Sequence, residues 1–280
     1  MLAELKELWR FRELLLSLIE RELKIRYKNS YLGFFWSLLN PLITVAVMTF
    51  VFKFLLKNQT GNLSVYILAA YLPYMFFQLA LMDSAQSILH ALPLVRKIYF
   101  PREVLPLASL CANFIHLLLA LLVFFCYLLV IWIRHPAVPP FQWTILYLPV
   151  LLVINFALAA GLGLLISALN TFYEDVKYMV GVALYLLFFL SPIMYFSEEV
   201  HLNTSPGVYV LYHLNPIAML ATAYRKVLVA PQEVVVRDQH YPPLPLDWGL
   251  LSLTAITSFG LLVFGYWVFN RMKWRFVERP

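Results

Sequence analysis

Charged residues are scarce in this chain. Asp, Glu, Lys and Arg make up only 13% of its 280 residues, and 62% of the residues are hydrophobic. Soluble domains carry about 25% charged residues, so the composition excludes an ordinary soluble fold and predicts an integral membrane protein. We therefore interpret the formal net charge of +6 as a sign of membrane topology and not of nucleic-acid binding.

Other absences restrict the chemistry. The two cysteines, Cys111 and Cys126, share one apolar run, which argues against a disulfide between them. The six histidines show no H-x-x-x-H spacing typical of metal ligands, and no GxxxxGK[ST] sequence is present to bind ATP phosphates. We therefore predict no catalytic, cofactor-binding or metal-binding residue in this chain.

Long uncharged runs predict the membrane spans. A bilayer core of about 30 Å needs roughly 20 apolar residues in a helix. The runs that suit this length are residues 33–52, 65–82, 104–133, 141–173, 178–197 and 248–270. The predicted fold is thus an all-α membrane protein with six transmembrane helices.

The distribution of basic residues predicts the orientation. Fifteen of the 21 Lys and Arg residues lie in segments 1–32, 92–103, 170–177 and 271–280. The positive-inside rule places these segments, and hence both termini, in the cytoplasm. Apolar residues in the first segment recur at helical spacing between charges, which predicts an amphipathic helix on the cytoplasmic membrane face. They are Leu2, Leu5, Trp9, Leu16, Ile19 and Leu23.

A further uncharged run, residues 200–224, is interrupted twice, by Pro206-Gly207 and by Asn215-Pro216. Proline removes a backbone donor and disfavours helix in the residue before it. The remaining apolar pieces are too short to span, so we predict an external re-entrant helical hairpin between the fifth and sixth spans. A surface loop is the alternative.

Ionisable groups are rare within the predicted spans, where ion-coupled transporters usually carry them. Asp83 alone lies near the edge of an apolar run, so energy for transport should come from outside the chain. Aromatic residues are abundant instead. An interfacial belt accounts for some of them, and the others are candidates for lining a conduit.

Four segments in order resemble one family: RYKNSYLGFFWSLLNPL (26–42), LPLVRKIYFPREVLPLA (92–108), LNTFYEDVKYMVGVALYLLFFLSPIMY (169–195) and LNPIAMLATAYRKVL (214–228). They resemble the transmembrane, or permease, subunit of type-2 ABC exporters for lipid-linked cell-surface polymers. These polymers include O-antigen, capsular polysaccharide and wall teichoic acid. The resemblance covers nearly the whole chain.

This resemblance implies a homodimer in the bacterial plasma (inner) membrane that binds two cytosolic ABC ATPase subunits. The ATPase would bind ATP and Mg, and the substrate would be a polymer on a polyprenyl diphosphate. The implied organisation is an interface helix (1–32), spans one to five with a coupling helix at about 92–103 (33–197), an external segment (198–247) and the sixth span with its cytoplasmic tail (248–280).

The resemblance also implies roles for individual residues. ATPase coupling would fall to Arg96, Lys97, Ile98, Tyr99, Phe100, Pro101 and Asp175. The family form before this aspartate is Arg, and Glu174 departs from it. Attraction of the lipid diphosphate would fall to Lys24, Arg26 and Lys28. The channel or gate residues would be Tyr31, Phe35, Trp36, Asn40, Tyr74, Phe77, Tyr209, Tyr212, Asn215 and Tyr224.

Two other functions are open at this point. An ABC permease for a small hydrophobic substrate would share the broad fold. A polytopic enzyme acting on polyprenyl phosphates would need several carboxylates or His-Arg clusters at one membrane face, and the sequence offers none that stands out. The aromatic residues and the Asn-Pro motifs favour a glycopolymer.

Overall fold

The computed structural model describes residues 2–27, 35–55, 57–134, 142–236 and 239–277. The described chain is almost entirely helical. Its α-helices are α1 Leu2–Arg10, α2 Arg12–Tyr27, α3 Phe35–Phe50, α4 Leu63–His90, α5 Leu92–Lys97, α6 Val104–Arg134, α7 Leu148–Phe172, α8 Val176–Leu190, α9 Ser197–Asn203, α10 Pro206–His213, α11 Pro216–Leu228 and α12 Trp248–Met272.

Short segments of other types adjoin these helices. A π-helical turn, Val51–Leu55, extends α3, while 3-10 turns precede α7 at Trp143–Tyr147 and follow α12 at Lys273–Val277. Strands β1 Val234–Val236 and β2 Gln239–Tyr241 pair antiparallel, with Val235 opposite His240. The sequence analysis did not anticipate this hairpin.

The apolar helices coincide in position with the predicted runs. Four are long and apolar enough to cross a membrane, namely Leu63–His90, Val104–Ile133, Trp143–Phe172 and Trp248–Phe276. Two apolar helices are shorter, Leu39–Leu55 and Val176–Leu190. The cysteines lie on α6 and are free thiols, as predicted.

Contacts between residues far apart in the sequence identify two opposite ends of the helical bundle. At one end, which we call the basic end, the Tyr99 hydroxyl donates to Glu7 (3.1 Å) and Lys273 pairs with Glu103 (3.4 Å). At the opposite end, which we call the hairpin end, Gln59 N donates to the Val235 carbonyl (2.9 Å). The six apolar helices therefore run alternately between the two ends. The segments that the charge pattern grouped together are indeed neighbours.

Helix α4 lies at the centre of the bundle and packs against α3, α6, α7, α8 and α11. Pro73 interrupts its hydrogen bonding, and the Asn155 amide of α7 donates to the Pro73 carbonyl (3.3 Å). This bond gives the buried Asn155 amide a partner inside an apolar interior, where an unpaired polar group is costly.

Helices α7 and α12 pack backbone to backbone. Gly161 of α7 faces Gly265 of α12, and a Cβ at Gly161 would lie 2.5 Å from the Leu261 carbonyl carbon. Such close approach is possible because glycine has no side chain, and small residues commonly allow it between membrane helices.

The N-terminal segment consists of two helices and not one, with a turn at Phe11. Leu8 and Phe11 pack against a cluster at the basic end, in which Leu18 is buried. Trp9 and Leu16, which the sequence analysis placed on the same apolar face as Ile19, are exposed. The helix pair therefore has one apolar face against the protein and other apolar side chains directed away from it.

Candidate functional site

The predicted coupling segment forms a protruding surface at the basic end. Helix α5 begins with Pro93 in its first turn and ends at Lys97, so that Arg96 and Lys97 occupy its last turn. The Ile98 and Tyr99 side chains are 59% and 70% exposed. Two large apolar side chains presented beside two cations suit a protein-binding surface better than a solvated loop.

Phe100 and Pro101, in contrast, are buried. Phe100 belongs to the cluster that holds α5 against α6 and the N-terminal helices. The Glu7 carboxylate accepts the hydrogen bond of the Tyr99 hydroxyl and thereby raises the pKa of that hydroxyl above its ordinary value. The structure thus separates an outward pair, Ile98 and Tyr99, from an anchoring pair, Phe100 and Pro101.

A buried ion pair directly after this segment in the chain anchors it to the residues that follow α12. Glu103 is only 1% exposed and lies 3.4 Å from the Lys273 ammonium. Arg102 donates to the Lys273 carbonyl, and its guanidinium lies 5.9 Å from the centre of the Phe276 ring. These contacts join the start of α6 to the segment after α12. The sequence analysis missed Glu103 because pairing with a residue 170 positions away leaves no local signal.

Asp175 lies at the same end, exposed at the N-terminus of α8. The turn that holds it is fixed by Asn170, whose side chain accepts from Lys177 N (3.0 Å) and donates to the Ala85 carbonyl (2.7 Å). Just before the turn, Phe172 contacts the ring of Phe276. The coupling role of Asp175 stays a prediction.

The predicted lipid-attracting residues fall partly outside the described structure. Lys24 is exposed on α2 and pairs with Glu20 (2.5 Å). Lys28 and the side chain of Arg26 lie outside the described residues. Exposed pairs of this kind contribute little stability, so the Glu20 pairing would not prevent Lys24 from meeting another anion.

Helices α3 and α8 both pack on α4 and make few contacts with each other. They leave a groove with α4 at its floor, where Tyr71 contacts Phe188 of α8 and hydrogen-bonds to Thr44 of α3. Each flanking helix has an exposed apolar stripe at three- and four-residue spacing. The stripes are Trp36, Leu39, Ile43, Val47, Phe50 and Phe54 on α3, and Tyr178, Val182, Tyr185 and Phe189 on α8.

Gln78 was not anticipated as a groove residue. It follows Tyr71 by seven residues, two helical turns, and therefore lies on the same face of α4. Its amide side chain is exposed although the helix around it is apolar. A polar residue within a span-length apolar run is the sequence signal that would have identified it.

The predicted channel residues of the first two spans occupy different positions. Trp36 (51% exposed) and Asn40 are exposed on α3, and Trp36 belongs to the apolar stripe beside the groove. Tyr74 and Phe77 are buried in α4, where the Tyr74 hydroxyl donates to the Leu184 carbonyl of α8. Tyr31 and the side chain of Phe35 lie outside the described residues. Tyr74 and Phe77 therefore pack in the core beneath the groove. A contact of either ring with the polymer stays a prediction.

At the hairpin end, α10 and α11 form two short helices joined at Leu214 and Asn215. The Asn215 side chain caps α11 by accepting from Ile217 N (3.1 Å), as expected for a favoured N-cap residue. The Tyr212 hydroxyl lies 2.7 Å from that of Tyr195, and the Tyr209 ring lies 4.2 Å from His213. Tyr224 is fully buried in the core.

Arg225 organises this end of the molecule. It is 5% exposed, and its guanidinium donates to the carbonyls of Tyr66 (2.9 Å), Tyr195 (2.7 Å) and Ile193 (2.6 Å). The Phe196 ring lies 5.4 Å from its central carbon. One side chain therefore joins α11, α4 and the turn after α8. Arg225 was not among the residues predicted from the sequence to form the site.

The described side chains can bind a substrate and direct its movement, but few reactive groups are placed together to break a covalent bond. Across the described ranges, no group of three or more His, Cys, Asp or Glu residues is placed to hold a metal ion. The distinguishing features are a protruding apolar and basic surface at one end, an aromatic groove along the bundle and an aromatic and polar cluster at the other end. They define a polytopic helical membrane protein with a groove along its side.

Comparisons with known proteins identify the family. The ABC-2 type transporter model matches residues 13–229. The chain is 26% identical over 266 residues to the O-antigen export system permease protein RfbA of Klebsiella pneumoniae, covering 95% of this chain and 94% of the relative. It is 30% identical over 195 residues to the protein of the same name from Myxococcus xanthus, covering 70% of this chain and 73% of the relative.

The chain belongs to the ABC-2 type transporter family, as its sequence motifs predicted. Its four span-length helices and this membership make it an integral protein of the bacterial inner membrane and a transporter subunit. Membership in the family also implies association with ABC ATPase subunits.

Proposed function

We propose that this chain is the membrane-spanning subunit of an ATP-driven exporter that moves a polyprenyl-diphosphate-linked glycopolymer out of the cytoplasm. The basic end would face the cytoplasm with both termini, the six apolar helices would all span, and α10 and α11 would form a re-entrant hairpin. The observation that carries the proposal is the groove between α3 and α8, with Gln78 on the stripe of α4 that forms its floor.

The groove has the chemistry of a path for sugars. A Gln78 amide directed into lipid would lose its hydrogen bonds, which is costly in a bilayer. Sugar hydroxyls or water would satisfy the amide, while the C–H faces of sugar rings would pack on aromatic side chains such as Trp36 and Tyr185. A path for a purely hydrophobic substrate would need no exposed amide.

A second copy of the chain would enclose this path. The stripes on α3 and α8 are exposed over several turns, and apolar patches of this extent commonly mark interaction surfaces. Two grooves facing each other across a twofold axis would form one conduit, consistent with the prevalence of symmetric homodimers. Lipid would then contact the outer faces of α6 and α12.

The ATPase would act on the basic end of the molecule, and the substrate would enter there. The sequence has no P-loop, so two separate ATPase subunits would bind ATP and Mg and press on the surface around Ile98 and Tyr99. The cationic groups Lys24, Arg26 and Lys28 would attract the lipid diphosphate. The two relatives are both named O-antigen export permeases, which supports an O-antigen-type polysaccharide as the cargo over wall teichoic acid.

We expect depletion of this protein in its host to remove the polymer from the cell surface. Lipid-linked polymer should accumulate inside, because synthesis continues while the path across the membrane is missing. The measurement is immunoblotting of surface polymer together with extraction of the lipid-linked pool. A wild-type copy should restore export, and undiminished surface polymer after complete depletion would contradict the proposal.

The coupling surface gives a second test. Replacing Ile98 and Tyr99 together by alanine should weaken copurification of the ATPase by about tenfold or more, because buried aromatic anchors at interfaces often contribute 2 kcal/mol or more. Both side chains are exposed, so the fold should persist. Leu202→Ala at the hairpin end, also an exposed apolar side chain, is the matched control. Equal copurification of both variants would exclude the coupling role.

A further inference from the structure

A polar cleft lies where the groove reaches the hairpin end. Its volume is about 440 Å³, within the range of roughly 300–1,000 Å³ typical of small-molecule sites. Its wall includes Phe52, Tyr195, Glu199, Asn203, Gln239 and Tyr241. These side chains come from the π-helical end of α3, the turn after α8, helix α9 and strand β2. The cleft therefore exists only when four separate elements assemble.

Hydrogen bonds hold the polar wall in place. The Asn203 amide donates to the Tyr241 hydroxyl (3.4 Å), which donates to the Gln239 side-chain oxygen (2.6 Å). An amide side chain carries one acceptor and two donors, so both amides retain capacity for a ligand beyond this chain of bonds. Neighbouring donors and acceptors held at fixed spacing match the adjacent hydroxyls of a sugar ring.

The aromatic members complete this chemistry. Phe52 lies between Phe50 and Phe54, the last two residues of the exposed stripe, and the Tyr195 hydroxyl is oriented by its contact with Tyr212 (2.7 Å). Both side chains line the cleft. Aromatic rings offer an apolar face on which the C–H surface of a sugar can lie while the amides bind its hydroxyls.

The charged residues at the cleft indicate which class of ligand it would bind. Glu199 is the one charged residue among the described lining residues, while the nearby Arg225, with which it interacts electrostatically, is held by three backbone carbonyls and does not line the cleft. Lys53 and Lys57 flank Phe52 and Asn58 in the chain without lining the cleft. Like charges in proximity repel, so the cleft disfavours a phosphate-bearing polymer and suits an uncharged glycan.

We infer that this cleft binds a short uncharged glycan segment of the exported polymer as it leaves the groove. The inference rests on the proposed export function and adds a specificity to it: neutral saccharides bind, and polyol phosphates do not. The cleft gives the emerging chain a holding site between successive ATPase cycles, which opposes its return into the groove.

The test uses the purified full-length protein in lipid nanodiscs and saturation-transfer difference NMR. The probes are uncharged tetrasaccharides of glucose, mannose, galactose and rhamnose, compared with a glycerol-phosphate tetramer. The cleft variant replaces Asn203 and Gln239 by alanine. The control variant replaces their neighbours Leu202 and His240, which do not line the cleft, by alanine.

At least one neutral probe should give a transfer signal that falls about tenfold in the cleft variant, since two hydrogen bonds are lost. The control should keep the signal, and the glycerol-phosphate tetramer should give none at equal concentration. Neutral signals that do not depend on Asn203 and Gln239, or equal binding of the phosphate probe, overturn the inference. The depletion experiment is independent of the cleft: retained surface polymer there refutes export itself, whatever the cleft binds.

Discussion

Replacing Gly265 by alanine is expected to separate α7 from α12 and to reduce the yield of folded protein severely. The added methyl group would overlap the Gly161 carbonyl oxygen, a backbone atom that cannot move aside without shifting a whole helix. Overpacking of a tight interface commonly costs about 1–3 kcal/mol and sometimes more. The measurement is the fraction of monodisperse protein in detergent and its Tm.

Gly260 provides the matched control on the same helix. A Cβ at Gly260 would meet nothing within 4 Å, and alanine in a helix interior is favoured over glycine by about 0.5–1 kcal/mol. Gly260→Ala should therefore leave Tm unchanged or raise it slightly. Equal behaviour of the two alanine variants would show that α7 and α12 do not approach as described.

Replacing Arg225 by methionine is expected to be the most damaging change at the hairpin end. Three buried carbonyls would lose a charged donor together, and hydrogen bonds to charged groups each contribute about 1.5–3 kcal/mol. We expect at least about 3 kcal/mol of destabilisation. Proteolysis of residues 198–236 and 239–247 should accelerate, and export should fall. Limited proteolysis and Tm of the purified protein measure this effect.

Arg225→Lys tests the geometry, because one ammonium cannot reproduce the planar array of guanidinium donors. It should recover only part of the lost stability. Lys53→Met is the control for charge: this cation at the same end of the molecule is exposed, and its loss should change stability by no more than about 0.5 kcal/mol. If Arg225→Met were no worse than Lys53→Met, Arg225 would have no special role in joining these elements.

The apolar helices and the grouping of their ends could be predicted because hydrophobic length and cationic residues are local signals. The predicted runs at 104–133 and 248–270 lie within α6 and α12, which exceed them by only a few residues. The run at 65–82 underestimates α4, which continues past Asp83 to His90 because Asn113 donates to the Asp83 carboxylate (2.8 Å). A charged side chain that accepts a hydrogen bond from a neighbouring helix can lie within a continuous apolar helix.

The candidate site was less predictable because its roles depend on which face of a helix a residue occupies. Tyr74 and Tyr224 belong to the predicted channel set, yet both point into the core. Gln78 lies on the floor of the groove, and Arg225 joins three elements at the hairpin end. Neither residue was predicted from the sequence to belong to the site. Aromatic character alone does not distinguish a core ring from a path-lining ring, whereas a polar group within an apolar helix points to a specific partner or to water.

The β-hairpin escaped prediction because its strands have only three residues each. Their pairing is completed by the loop between α3 and α4, where the Thr60 hydroxyl accepts from Val235 N (3.0 Å) and Gln232 donates to the Gly61 carbonyl. A pattern of alternating residues this short is not distinctive.

The bond between Thr60 and Val235 joins residues 175 positions apart. At about 5–20 residues per second, the ribosome needs roughly 10 to 35 s to produce Val235 after Thr60. Throughout that interval the loop between α3 and α4 lacks its contacts with β1. The hairpin end therefore cannot be completed before β1 has been synthesised, and a chain truncated before β1 would insert its early helices while leaving this end open.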